Sequence, residues 1–75
     1  MRTNIKELRK SVNMTQQQLA DAVHVSVRTI ISIEKEQYCP SLMLAYRIAE
    51  LFGVSVEDLC RLKENKLLED SKNEN

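Results

Sequence analysis

The stretch from Thr15 to Glu34 constrains this chain more than any other, because it holds two helix starts with almost no room between them. Thr15 is followed three positions later by Gln18, the spacing of a capping box, in which each side chain satisfies a backbone N–H that the helix leaves free. Ser26 supplies the second cap. An apolar residue stands before each cap and another at the fourth helical position, Met14 with Leu19 and Val25 with Ile30. Those pairs are hydrophobic staples, which fix the angle at which the chain enters each helix. Val23, His24 and Val25 leave only a few residues for the turn, so the two helices must cross steeply, as in a helix-turn-helix.

The second of these helices has an unusual outer face. At about 100° per residue, Ile30 and Ile33 form the core stripe. Arg28, Ile31, Ser32 and Lys35 cluster on the opposite side, with Val27 at the margin. One reading is ordinary solvated surface, since single exposed apolar residues need no explanation. The other is a helix laid in a DNA major groove, where arginine can fork onto guanine, serine can bond a base edge, and isoleucine or valine can touch thymine methyls. The face alone does not choose between them.

Residues 5–59, about three quarters of the chain, resemble the Xre/Cro family of bacterial regulators, which have the lambda-repressor-like DNA-binding domain. The likeness is carried by Ile5-Lys-Glu-Leu-Arg9, Thr15-Gln16 with Leu19-Ala20, Val25-Ser26, Thr29-Ile30, Ile33-Glu34, Tyr38 with Pro40-Ser41-Leu42, and Ala49 through Leu59. Each motif is short, but the ordered set is specific. It implies an all-α, compact five-helix fold with the helix-turn-helix at helices 2 and 3. It also implies that Arg9 reaches Glu34 in a partly buried ion pair bracing the first and third helices, that Gln16 meets the DNA backbone, and that Lys35 and Tyr38 donate to phosphates from the loop after the third helix. Two departures stand out: the family usually has glycine where His24 and Glu36 stand. His24 is therefore expected to be a strained turn residue, since a non-glycine residue with positive φ is uncommon. No second histidine or carboxylate cluster accompanies it, so no metal is expected.

The length of 75 residues allows one domain with a small core. No stretch approaches the ~18 apolar residues of a membrane span, and the start lacks the apolar core of a signal peptide. Cys39 and Cys60 match neither a disulfide scaffold nor a zinc site and read as reduced thiols in a cytoplasmic protein, Cys60 packed. The net charge is zero, but its distribution is not even: through Arg47 there are seven basic and four acidic residues, and from Ile48 onward four basic and seven acidic. A basic front and an acidic back suit a module that presents one end to phosphates.

The remaining helices follow from period and caps. Residues 4–12 read as the first helix, with Asn4 and Glu7 as a capping pair and Ile5, Leu8 and Val12 on one face. The second, about 16–23, buries Leu19, Ala20 and Val23, and its first turn, Gln16 and Gln17, offers donors to a phosphate. Tyr38 equally reads as packing its ring under Pro40. Pro40-Ser41 starts a fourth helix over 42–52, which Gly53 ends, with Leu42, Ala45, Ile48, Ala49 and Phe52 as the central core layer. Ser55 with Asp58, and Val54 with Leu59, repeat the cap and staple for a fifth helix to about Lys63. Leu62, Leu67 and Leu68 read either as a dimer seam or as a fraying helix end. The domain is expected over 1–69, with 70–75 a mobile polar tail.

Two functions remain. The first is a sequence-specific DNA-binding transcriptional regulator, a repressor acting as a homodimer on an inverted-repeat operator with the third helix in the major groove. Val27, Arg28, Ile31 and Ser32 then read bases, while Thr15, Gln16, Gln17, Thr29, Lys35 and Tyr38 hold the double-stranded DNA backbone. The second is a protein-interaction module, antitoxin-like or scaffolding, using the same exposed face. An enzyme lacks support, with one histidine, no paired carboxylates in an apolar pocket, no glycine-rich phosphate loop and no nucleophile beside a base. No cofactor and no small-molecule ligand is expected.

Overall fold

A computed structural model describes residues 1–72, and among them the regular elements are all helical. They are α1 (Ile5–Ser11), α2 (Gln16–Ala22), α3 (Val27–Glu34), α4 (Leu42–Phe52), α5 (Val56–Leu59) and α6 (Leu62–Lys72). The all-α, lambda-repressor-like fold class stands, with one helix more than expected.

Four helix starts are fixed by the residues that announce them. The Thr15 hydroxyl accepts from the Gln18 N–H at 3.0 Å while the Thr15 N–H donates to the Gln18 side chain at 2.8 Å, closing the capping box. Ser26, Ser41 and Ser55 accept from the N–H groups of Thr29, Leu44 and Asp58. The staple residues Met14, Val25 and Val54 are all partly buried against the core. Gly53 ends α4 in the left-handed conformation, φ +68°, where glycine pays no Cβ penalty. The core they enclose is one cluster built from Ile5, Leu19, Ala20, Val23, Ile30, Ile33, Leu44, Ala45, Ile48, Ala49, Leu59 and Cys60. Ala20 is wholly buried, and its small side chain leaves room for α3 to pack closely.

The structure corrects the sequence reading at several positions. Leu42 is 76% exposed, and Leu44 takes the core place expected of it. Leu42 is the first residue after the cap, so it projects from the helix end, and the buried arc starts later, through Leu44, Ala45, Ile48 and Ala49. Val12 is 56% exposed, because α1 ends at Ser11 and Val12 already has the conformation of a cap. Asn4 does not cap α1 with its side chain. Its amide donates to the carbonyl of Asp58 at 2.9 Å and its backbone N–H to Leu59 at 2.8 Å, satisfying carbonyls at the end of α5 that the helix leaves free.

The fifth helix does not run on to Lys63. It stops at Leu59, because Arg61 adopts a left-handed conformation, φ +49°, and the chain restarts as α6. Neither glycine nor proline marks that break. Asn65 secures it: its side-chain N–H groups are shared among the carbonyls of Arg2, Cys60 and Arg61 at 2.7–3.1 Å, and its oxygen accepts from the Arg2 N–H at 3.1 Å. Arg2 also pairs with Glu64, whose carboxyl is held below its usual range by that hydrogen bond, and Arg61 pairs with Glu64 as well. α6 continues through Asp70 and Ser71 to Lys72, into the stretch expected to be a mobile tail; residues 73–75 of that tail lie outside the described residues.

Asn65 therefore docks α6 and the chain start onto the end of α5. Replacing it with alanine removes up to four hydrogen bonds at about 0.5–1.5 kcal/mol each, two of them exposed, for an expected loss of about 2 kcal/mol confined to this corner. Native-state hydrogen exchange on Asn65→Ala should show faster exchange in α6 while the amides of α2 and α3 keep their protection.

Candidate nucleic-acid interface

α3 is held by its inner face and by a single ion pair at its end. Ile30 and Ile33 are buried, as the helical period requires. Glu34, the last residue of α3, meets Arg9 of α1 in a two-pronged contact: Nε donates to Oε2 at 2.7 Å and Nη2 to Oε1 at 3.0 Å. Both side chains are nearly enclosed, 10% exposed for Arg9 and 4% for Glu34. The remaining guanidinium nitrogen is used too, Nη1 donating to the Met14 carbonyl at 2.8 Å. Gln16 of α2 adds a donor to Glu34 Oε1 at 3.1 Å. No buried side-chain nitrogen or oxygen among the described residues lacks a partner.

Burial pushes the Glu34 carboxyl up. Hydrogen bonds from Arg9 and Gln16 and the nearby charges of Arg9 and Lys6 outweigh that push, so it sits below the ordinary carboxylate range. The Arg9 guanidinium is correspondingly raised, chiefly by its hydrogen bond to Glu34. Both groups stay charged throughout the neutral range.

With the inner face fixed, the outer face is determined. Arg28 and Lys35 are exposed, and Val27, Thr29, Ile31 and Ser32 are half-buried. Val27 packs partly against the core, so it is less available than its place at the margin suggested. The Thr29 hydroxyl lies 3.2 Å from that of Ser26, within the cap. Two shallow clefts run along the flanks of α3. One is lined by Ser26, Arg28, Thr29, Ser32, Gln37 and Tyr38. The other lies against α1 and the start of α2, around the Arg9–Glu34 pair, and holds Lys6, Lys10, Thr15, Gln16, Ile31 and Lys35. Tyr38 is half exposed while Pro40 is buried.

The polar first turn of α2 is more occupied than its sequence suggests. Gln16 is committed to Glu34, and the Gln17 amide donates to Asp21 at 2.9 Å one turn along. His24 and Glu36, which stand where the resembled family has glycine, both adopt positive φ, +61° and +64°. Asn13 does the same at +57°, as the link between α1 and α2. Lys6 and Lys10 were absent from the residues singled out in the sequence. Their signal was there in the four-residue spacing on either side of Arg9, which puts both on the same side of α1.

The helix-turn-helix family profile matches residues 5–59, from the start of α1 to the end of α5. The chain belongs to the Xre/Cro-like helix-turn-helix family. An Archaeoglobus fulgidus protein named as an uncharacterized HTH-type transcriptional regulator is 49% identical over 69 residues, covering 92% of this chain and 97% of its own. A Methanothermobacter thermautotrophicus protein of the same description is 48% identical, over 87% of this chain and 96% of its own. The Bacillus subtilis HTH-type regulator YgzD is 39% identical, over 85% and 97%. Membership of this helix-turn-helix family makes the chain a DNA-binding regulator of transcription, a class distinct from enzymes, with α2 and α3 as the helix-turn-helix pair.

In this family member the Arg9–Glu34 brace has a measurable cost of removal. Arg9→Ala leaves Glu34 enclosed with only Gln16 beside it, and stability should fall by about 3 kcal/mol in urea unfolding, whereas Arg9→Met with Glu34→Leu should recover most of the loss. A carboxyl depressed in the folded state stabilises fully above its unfolded value of about 4.3, and that contribution drains as pH falls through the lower folded value. Glu34→Gln should therefore make stability less steeply dependent on pH below about 4.3.

Proposed function

We propose that this protein is a sequence-specific transcriptional repressor that binds an inverted-repeat operator as a homodimer, with α3 in the major groove. The observation that carries the reading is the outer face of α3: an exposed arginine, a serine and an isoleucine on the side opposite Ile30 and Ile33, between two open clefts. Val27, Arg28, Ile31 and Ser32 read bases. Arg28 is the main specificity contact, since a guanidinium can satisfy both acceptors of guanine at once. Thr15, Gln17, Thr29, Lys35 and Tyr38 hold the backbone and set the register. Gln16 joins them through whatever donor capacity its bond to Glu34 leaves.

A homodimer is favoured by exposed apolar side chains elsewhere on the molecule, Leu42, Met43 and Tyr46 on α4 and Leu62, Leu67 and Leu68 on α6. Two copies set α3 helices about 34 Å apart, one turn of DNA. Repression needs only occupancy of a promoter, which a small unit such as this supplies by exclusion, in the cytoplasm where the DNA lies.

Selection from a random duplex library tests the reading directly. Recovery of a two-fold symmetric site supports it, and failure to enrich any sequence overturns it. On the selected site, Arg28→Ala should cost about 1–3 kcal/mol and relax one base position. An equal loss on unrelated duplex would reduce Arg28 to a phosphate contact. Lys35→Ala should weaken binding to all sequences alike, with a shallower salt dependence by about one unit of slope, as read from anisotropy titrations.

A further inference from the structure

A helix about 10–12 Å across nearly fills a major groove about 12 Å wide, so a sugar-phosphate strand passes on each flank of it. The two flanks of α3 are chemically unlike. The cleft toward Tyr38 is lined mainly by hydroxyls and an amide, with Arg28 as its one cation. The cleft toward α1 is lined by three lysines, Lys6 and Lys10 from α1 and Lys35 from just beyond α3. Its only carboxylate is Glu34, already bonded by Arg9 and Gln16. Glu7, Asp21 and Glu36, the other acids of the basic half, do not line it. The four ion pairs among the described residues use none of the three lysines. Lys6 lines the cleft beside Arg9 and Glu34, and its charge helps to lower the Glu34 carboxyl.

Like charges converging on one concave surface repel one another unless an anion shares the space. We infer that this cleft is a phosphate seat, in which Lys6 and Lys10, together with Lys35, take phosphodiester oxygens of the strand on the α1 flank. The inference rests on α3 lying in the major groove, and it adds α1 to the contact surface. It makes the interface lopsided: counterion release comes mostly from the α1 flank, while the Tyr38 flank orients through neutral hydrogen bonds. Ile31 lines the same cleft, so the phosphate seat adjoins the base-reading face directly.

The test is the salt dependence of duplex binding by the intact chain. The double variant Lys6→Gln with Lys10→Gln should lower the slope of log affinity against log salt by about 0.9 for each phosphate given up, one to two units in all. It should weaken the selected site and an unrelated duplex by the same factor, leaving their ratio unchanged. The matched variant Lys63→Gln with Lys66→Gln on α6 removes the same charge away from the cleft and should leave the slope as it was. Equal effects from the two pairs would show general charge attraction and overturn the seat. So would a wild-type slope in the α1 double variant, even with wild-type protein still binding DNA; that result leaves the major-groove reading intact. Wild-type protein that binds no duplex would overturn both. Inorganic phosphate, added at constant ionic strength, should not displace the duplex; displacement at low concentration would assign the cleft to a free phosphate ligand instead. Circular dichroism of each variant confirms that the exposed substitutions leave the helices folded.

Discussion

One carboxylate ties three helices together. Glu34 at the end of α3 accepts from Arg9 of α1 and from Gln16 at the start of α2, while Arg9 also holds the carbonyl of Met14 in the link between α1 and α2. Apolar packing alone fixes α3 poorly, because only Ile30 and Ile33 anchor it fully and such contacts tolerate small rotations. A forked, nearly dry ion pair does not. Its hydrogen bonds are directional, and removing either partner strands the other in a place that water hardly reaches. The gain over an apolar pair of the same volume is small in stability and large in orientation. Orientation is what the proposed reading of base edges by α3 requires.

The same joint arranges the surroundings of α3. By drawing α1 onto the end of α3, it carries Lys6 and Lys10 to the cleft that borders Ile31 and Lys35. The compensation of Glu34 within the brace keeps that cleft from being neutralised by its own carboxylate. The net charge of zero thus conceals a molecule with most of its basic residues in its first half, and a local excess of cations beside the recognition face. The acidic second half, with Glu50, Glu57, Asp58, Glu64, Glu69 and Asp70, lies in α4, α5 and α6. Such a dipolar layout favours one approach to a polyanion over the reverse.

Much of this was legible in the sequence, because the decisive instructions are local. A cap, the residue three positions on and a staple are read within one short window, and Thr15, Ser26, Ser41 and Ser55 each start a helix where the window says. The strained turn at His24 was legible too, although only through resemblance, since nothing in its side chain demands it. What escaped depends on distance in the chain. Asn4 looks like a cap for α1 until Asp58 and Leu59 arrive beside it. Gln16 looks like a free donor until Glu34 does. Leu42 and Leu44 are equally apolar, and only the cap at Ser41 decides which one reaches the core. The break at Arg61 has no punctuating glycine or proline; Asn65, reaching back to Cys60 and Arg61, supports the turn where the chain doubles into α6.

The size of α3 sets a limit on what one copy can accomplish. Eight residues at 1.5 Å each extend about 12 Å, which faces only three or four base pairs at their 3.4 Å spacing. A site so short recurs by chance at a very large number of places in any genome, and contacts to phosphate carry no sequence information with which to choose among them. Strengthening phosphate contacts cannot help, because it raises correct and incorrect binding together. Discrimination has to come from multiplying short readings, and two rigidly related helices multiply them without lengthening either. In the proposed homodimer the brace matters for that reason: a second copy improves selectivity only if each α3 is held at a fixed angle to its own domain, so that the pair keeps one spacing. A joint loose enough to let α3 swing would let the pair fit many spacings, and the product of two weak preferences would be lost.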